Sequence, residues 1–303
     1  LAHSYDHVRR CTSVLNPPGP SGVVDSATET TDITGNPRGV TSNDGTGYWI
    51  GTSAQGVRYA AYGNAPTTTT SVSSTFTNVR LPQIFSGQLF LSSGASTLRL
   101  GAVGAGIPTS AGNTTTSLNG LPTSGGAFNS FFFADLDNSV PGNDTLYVAD
   151  EGAGIRKYSL VGGVWTAPAS NPVAGTAASA YRGLTARVVG TTVTLYTTRK
   201  AGNAAAGGGE FAVITDSSGY NAGFTSVAEP TALTTAATNT AFRGVALVPQ
   251  SVAAPTLSIA TTASVAEGNT GCAGGTTALN FTVTSSSPAA SNINFTFTTA
   301  DGT

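Results

Sequence analysis

The chain is poor in charge, in cysteine and in histidine, and it has no methionine at all. Charged residues make up 9% of the 303, against about 25% in ordinary globular domains, which speaks against a helix-rich cytosolic enzyme. The 13 Lys and Arg against 15 Asp and Glu leave a net charge of −2 without any basic run. Nothing is present to neutralise a row of phosphates, so nucleic acid and anionic membrane are not expected partners. Gly or polar residues interrupt every apolar run, and none nears the roughly 18 to 20 residues of a membrane span. Two cysteines, Cys11 and Cys272, are too few for a disulfide framework and leave open one bridge or two separate thiols. Both histidines, His3 and His7, precede residue 8, which removes Ser-His-Asp, Cys-His and histidine-ligated metal chemistry from everything that follows. Those two have the i, i+4 spacing of a helical metal pair, but neither a helix nor a third ligand accompanies them. With Leu1 in first place and no apolar signal core near it, the expectation is a piece of a longer reading frame.

What the chain does have is 38 Gly, 15 Pro and long Thr/Ser/Ala stretches, with short β-branched or aromatic runs between them, which is the pattern of an all-β fold. The runs repeat. Tyr48-Trp49-Ile50-Gly51 leads through a turn to Val57-Arg58-Tyr59, Leu89-Phe90-Leu91-Ser92 to Leu98-Arg99-Leu100, and Leu146-Tyr147-Val148-Ala149 to Ile155-Arg156-Lys157-Tyr158. A looser copy pairs Val193-Thr194-Leu195-Tyr196 with Phe211-Ala212-Val213-Ile214. A second element precedes some of these hairpins: Arg38-Gly39-Val40, Arg182-Gly183-Leu184 and Arg243-Gly244-Val245, with a weaker Val79-Arg80-Leu81. The period of about 40 to 60 residues suits four-stranded propeller blades with loop insertions.

These hairpins resemble the blades of bacterial propellers of the NHL and YVTN kind, most closely at Leu146-Tyr147-Val148-Ala149-Asp150 with Ile155-Arg156-Lys157-Tyr158. The resemblance implies a β-propeller-like repeat domain over residues 21–250. Four units and the opening of a fifth are visible, fewer than a closed ring is expected to need, so further units are expected upstream. Residues 1–20, with their charge cluster and Asn16-Pro17-Pro18-Gly19-Pro20, read as an unstructured or foreign leader.

After Pro249 the composition changes. A short linker, Ser251-Val252-Ala253-Ala254-Pro255, gives way to Leu257-Ser258-Ile259, Val265-Ala266-Glu267-Gly268-Asn269, a strand with Leu279, Phe281 and Val283 on one face, another with Ile293, Phe295 and Phe297, and a closing Ala300-Asp301-Gly302-Thr303. This order resembles the first half of a Calx-beta sandwich over residues 251–303. The resemblance implies calcium as a cofactor of the complete domain, with Glu267 and Asp301 as ligands, and binding by the half alone that is weak or absent.

Five of the 15 acids, Asp135, Asp137, Asp144, Asp150 and Glu151, fall within 17 residues. Asp135 and Asp137 follow the apolar strand Phe131-Phe132-Phe133-Ala134, and strand alternation would send both to one side. With Asp144 and nearby Asn oxygens they could serve a calcium ion. Two other readings stand beside that one: a solvated loop of Asx turns, and a catalytic carboxylate pair. Tyr48, Trp49, Phe90, Tyr147 and Tyr196 are expected at equivalent positions of the hairpins, which suits hydrophobic glue between sheets better than a ligand ring. Arg182 and Arg243 would line a channel or stack on the preceding aromatic, with packing favoured.

The expected function is extracellular or cell-surface binding, adhesion or scaffolding by a monomeric module of a larger chain. Its ligand would be an extracellular carbohydrate or protein. The competing class is a calcium-dependent extracellular hydrolase, working through the propeller acids or through a domain outside these residues.

Overall fold

The computed structural model describes residues 32–62, 69–95, 98–174, 179–200, 209–237, 240–247, 256–259 and 280–285. The expected leader, both histidines, both cysteines, Glu267 and Asp301 lie outside these residues. The chain divides into two compact units, Leu1–Leu247 and Val248–Thr303.

Every regular element among the described residues is a β-strand, and the first unit is β-propeller-like. Its strands form four consecutive antiparallel meanders. The first holds β1 (Pro37–Ser42), β2 (Gly47–Thr52), β3 (Val57–Ala61) and β4 (Thr70–Ser73). The second holds β5 (Val79–Phe85), β6 (Gln88–Ser93), β7 (Leu100–Val103) and β8 (Thr115–Ser117). The third holds β9 (Phe128–Ala134), β10 (Thr145–Asp150), β11 (Gly154–Val161) and β12 (Val164–Thr166), with β13 (Val173–Ala174) also paired to β11. The fourth holds β14 (Tyr181–Val189), β15 (Thr192–Arg199), β16 (Glu210–Asp216) and β17 (Thr234–Thr235).

Local chemistry explains the meanders. At Phe85-Ser86-Gly87-Gln88 the two central residues both have positive φ, 48° and 74°, the two-residue turn whose twist matches its flanking strands. Phe85 consequently pairs with Gln88 and fixes the register of β5 on β6. All four hairpins read from the sequence are present, as β2/β3, β6/β7, β10/β11 and β15/β16.

Three cores separate the four sheets. Trp49, Val57 and Val72 meet Val79, Leu89, Leu91 and Val103 between the first two sheets. Leu100 meets Phe128, Phe131, Phe133, Leu146 and Val148 between the second and third. Ala134, Tyr147 and Ala149 meet Tyr181, Leu184 and Leu195 between the third and fourth. Strand alternation makes this possible: on β10, Leu146 and Val148 face one core while Tyr147 and Ala149 face the other. The first strands of successive sheets, β1, β5, β9 and β14, pack against one another and form the inside of the array.

Trp49, Phe90, Tyr147 and Tyr196 occupy one register position, opposite Thr41, Gln83, Phe132 and Thr185. The first three pack in or against the core shared with the next sheet, so they are glue between sheets. Tyr196, on the last sheet, stacks on Phe211 at 6.4 Å between ring centres.

In the second unit β18 (Leu257–Ile259) pairs antiparallel with β19 (Val283–Ser285), joining two segments that the sequence marks as strands. Leu257, Ile259, Phe281 and Val283 are exposed there.

Candidate functional site

The acidic stretch is not one site. Ala134 pairs with Thr145, while Phe128 pairs with Asp150, so the chain crosses the whole sheet between the first three acids and the last two. At about 3.3 Å per residue the two groups stand roughly 17 Å apart.

At the first end, β9 stops at Ala134, and strand alternation does not extend through Asp135 and Asp137 as expected from the sequence. Asp135 is exposed. Asp137 bends back to accept hydrogen bonds from the Ser139 amide at 2.9 Å and its hydroxyl at 2.7 Å, and these hold its carboxyl below the usual range. Asp144 is fully buried. Its carboxylate accepts from the Leu136 amide at 3.0 Å, the Asp137 amide at 2.6 Å and the Thr145 hydroxyl at 2.7 Å. That carboxylate ties the 135–144 connection together through three protein donors, while Asp135 is exposed and Asp137 is engaged in its own turn. Among the described residues no group of three or more His, Cys, Asp or Glu is placed to hold a metal.

At the other end, Asp150 accepts from the Gly152 amide at 2.8 Å and pairs with Arg156 at 2.6 Å. Glu151 pairs with Arg182 of the next sheet at 2.6 Å. Burial pushes the Glu151 carboxyl up, but Arg182, Arg80 and a hydrogen bond from Asn129 together bring it below its ordinary value.

Those neighbours belong to a repeated device. In each inner strand the pairing slips by one residue near its start, a β-bulge. The slips lie between Pro37 and Gly39, between Val79 and Leu81, between Phe128 and Ser130, and between Tyr181 and Gly183. The positions that the ladder skips are therefore Arg38, Arg80, Asn129 and Arg182. Each bulge touches the next: a Cβ placed on Gly39 would lie 2.8 Å from the Arg80 carbonyl oxygen. Ser92 donates to the Asn129 carbonyl at 2.9 Å, and Ser130 to the Arg182 carbonyl at 2.6 Å. Thr198 continues the series by donating to the Arg243 carbonyl at 2.9 Å, so Arg243-Gly244-Val245 takes the place of a fifth inner strand against the fourth sheet.

The result is a row of polar side chains, one per sheet, at a single end of the inner strands. Arg38 is half-buried, and its Nη1 has no hydrogen-bond partner among the described residues. Arg182 uses Nη2 on Glu151, while its buried Nε is likewise unsatisfied. Arg243 is exposed. The Arg-Gly pairs at 38, 182 and 243 announce this row in the sequence. The third sheet hides it, because Asn129-Ser130 stands where the others carry Arg-Gly or Arg-Leu.

No protein-family model matches the chain and no curated protein matches it, so the likeness to NHL and YVTN blades and to Calx-beta domains stays one of motif. Among solved structures the chain is similar to the Bacteroides ovatus xyloglucan PUL GH43B protein, with a TM-score of 0.38 and 12% identity, covering 63% of this chain and 40% of that one. It is also similar to the N-terminal domain of Nup159, with a TM-score of 0.30 and 9% identity, covering 59% and 55%. The chain thus spans about half or less of either neighbour's length, and neither likeness says what this chain binds.

Proposed function

We propose that the first unit is a binding module, acting in extracellular adhesion or scaffolding on a carbohydrate or protein ligand, and that it is not a hydrolase. The observation that carries this reading is the row at Arg38, Arg80, Asn129 and Arg182, which gathers one polar group from each of four successive sheets at one end. A hydrolase working through the acidic stretch would need two carboxylates facing one substrate. Asp144 is instead spent on backbone amides, and Asp137 on its own turn. Calcium enters this reading only through the second unit, with Glu267 and Asp301 as its ligands by resemblance to Calx-beta domains; both acids supply the hard oxygen donors that calcium takes.

The reading is tested by presenting the chain to an array of extracellular glycans and matrix proteins, alongside hydrolysis assays on every glycan retained. Retention without cleavage, unchanged in an Asp135→Asn/Asp137→Asn variant, is the expected result. Cleavage lost in that variant would establish the hydrolase instead. In a chain extended to complete the Calx-beta sandwich, calorimetric titration should show calcium binding weakened by Glu267→Gln and by Asp301→Asn, and equal affinity in the parent and both variants would remove calcium from the reading.

A further inference from the structure

The row of bulges is chemically one-sided. The chain has 11 arginines in 303 residues, and four of them, Arg38, Arg80, Arg182 and Arg243, stand at this one repeated position. Arginine at a bulge has no local cause, since a bulge asks for a backbone shape and not for a charge. Burying part of a guanidinium is costly, and an unsatisfied donor on it adds to that cost. Arg38 bears that cost at Nη1 and Arg182 at Nε.

Glu151 shows what the row accepts. Its carboxylate takes a 2.6 Å hydrogen bond from Arg182 and lies in the field of Arg80, with Asn129 as a further donor. It serves the second, third and fourth sheets. Nothing equivalent serves Arg38 at the first: among the described residues no carboxylate pairs with it, although Gly39 sets the bulge of Arg38 directly against that of Arg80. Arg199, opposite Tyr181 at the same end, is already held by Glu210 at 2.6 Å and Glu229 at 3.0 Å, so it is not a candidate. The adjoining loops carry little bulk: a Cβ on Gly94 would fall 2.7 Å from the Arg80 Nε, so a side chain there would displace this guanidinium.

We propose that Arg38, whose bulge lies against the backbone of the Arg80 bulge, binds an oxyanion of the ligand, a carboxylate or sulfate group, and that Glu151 is the internal carboxylate fixing the other half of the row. The planar guanidinium fork matches such a group through two parallel hydrogen bonds. The inference rests on the reading of the first unit as a binding module and names the chemistry of its ligand. The oxyanion can arrive free or attached to an acidic saccharide, and the two are separable by experiment.

The test is calorimetric titration of the whole chain with trigalacturonate, with neutral galactotriose of the same length, and with sodium sulfate, all at fixed ionic strength. Binding of trigalacturonate and not of galactotriose assigns a saccharide-borne carboxylate; binding of sulfate alone assigns a free oxyanion. In either case Arg38→Gln should weaken binding at least tenfold and Arg38→Lys about threefold, because lysine keeps the charge and loses the fork. Glu151→Gln should strengthen it severalfold by removing the competing carboxylate. Arg187→Gln, exposed toward the other end of β14, should change nothing. Should Arg38→Gln not fold, Arg38→Lys and Glu151→Gln still decide the matter. Failure of both anions to bind, or affinity unmoved by the Arg38 and Glu151 variants, overturns the oxyanion site. Galactotriose bound equally well in every variant overturns it too while leaving the binding-module reading in place.

Discussion

Lys157 is a charged side chain with no exposed surface, and neither has its partner Asp216. All three ammonium hydrogens are used: on Asp216 Oδ2 at 2.8 Å, Ser218 Oγ at 2.8 Å and the Gly219 carbonyl at 2.7 Å. The carboxylate also accepts from the Tyr147 hydroxyl at 2.7 Å and from Ser218, so the pair bolts the third sheet to the fourth. Removing one partner strands the other as a buried charge at about 3 to 5 kcal/mol. Lys157→Met should therefore lower the melting temperature by roughly 10 °C at some 2 to 4 °C per kcal/mol. Lys157→Met/Asp216→Asn, which strands no charge, should lose less than the two single changes added together. Burial pushes the Asp216 carboxyl up, but the hydrogen bonds from Lys157, Ser218 and Tyr147 outweigh it and hold the group below its ordinary value. A depressed carboxyl stabilises the fold above its unfolded pKa of about 3.9 and loses that contribution as pH falls through the lower folded value. A melting series from pH 7 to pH 2 should show that acid limb in the native chain and a shallower one in Asp216→Asn. Asp144 makes the parallel case in the loop. Asp144→Ala leaves the amides of Leu136 and Asp137 unsatisfied and should cost a few kcal/mol at about 1 to 3 each, whereas exposed Asp135→Asn should leave the melting temperature within a degree. None of this is legible in the sequence: Lys157 reads there as one polar position of an alternating hairpin, and its partner is 59 residues away.

The meanders are legible because their causes are local. Alternation and turn residues fix each hairpin before any sheet meets another, which is why Leu146-Tyr147-Val148-Ala149 and its copies stand out in the sequence. The bulges are not local. They depend on how each inner strand registers on its neighbour and how closely the next inner strand approaches, so Arg-Gly reads as a repeated motif whose purpose stays hidden, and Asn129-Ser130 does not read as a copy at all. Glycine at these positions has a packing reason. A Cβ on Gly39 would meet the Arg80 carbonyl and Leu81 Cδ1 at 2.8 Å, and one on Gly183 would meet the Arg243 carbonyl at 2.8 Å. A Cβ on Gly244 would meet nothing within 4 Å. Because backbone atoms cannot yield as a side chain can, Gly39→Val and Gly183→Val should each cost about 1 to 3 kcal/mol by overpacking. Gly244→Val should be near neutral in the same denaturant titration. Equal losses at all three would mean that the inner strands do not approach one another as closely as the row of bulges requires.

At the scale of the molecule, the three cores make stability unequal from sheet to sheet. The third sheet is covered on both faces: Phe131 and Phe133 belong to the core shared with the second sheet, Ala134 and Tyr147 to the core shared with the fourth. Phe133 also lies within 5.8 Å, ring centre to ring centre, of Phe85, Phe90, Phe131 and Trp165, which ties two strands of the third sheet, β9 and β12, to two of the second, β5 and β6. β17 is different: it has two residues, both exposed. In the second unit β18 is a three-residue strand, exposed throughout, paired only with β19 among the described residues. Two-stranded pairs of this length hold little stability of their own, and strands open at free energies set by how much apolar surface they bury. Amide hydrogen exchange should therefore be slowest on β10, where every residue is buried, at rates set by global unfolding. Exchange at β17, β18 and β19 should proceed orders of magnitude faster, through local opening. Weakening the shared aromatic core by Phe133→Ala, at about 3 to 5 kcal/mol, should speed exchange on β10 and on β6 together, because one core holds both. Acceleration confined to β9 and β10, with β6 unmoved, would show that the sheets are stabilised singly and that the cores between them do not join them into one cooperative body.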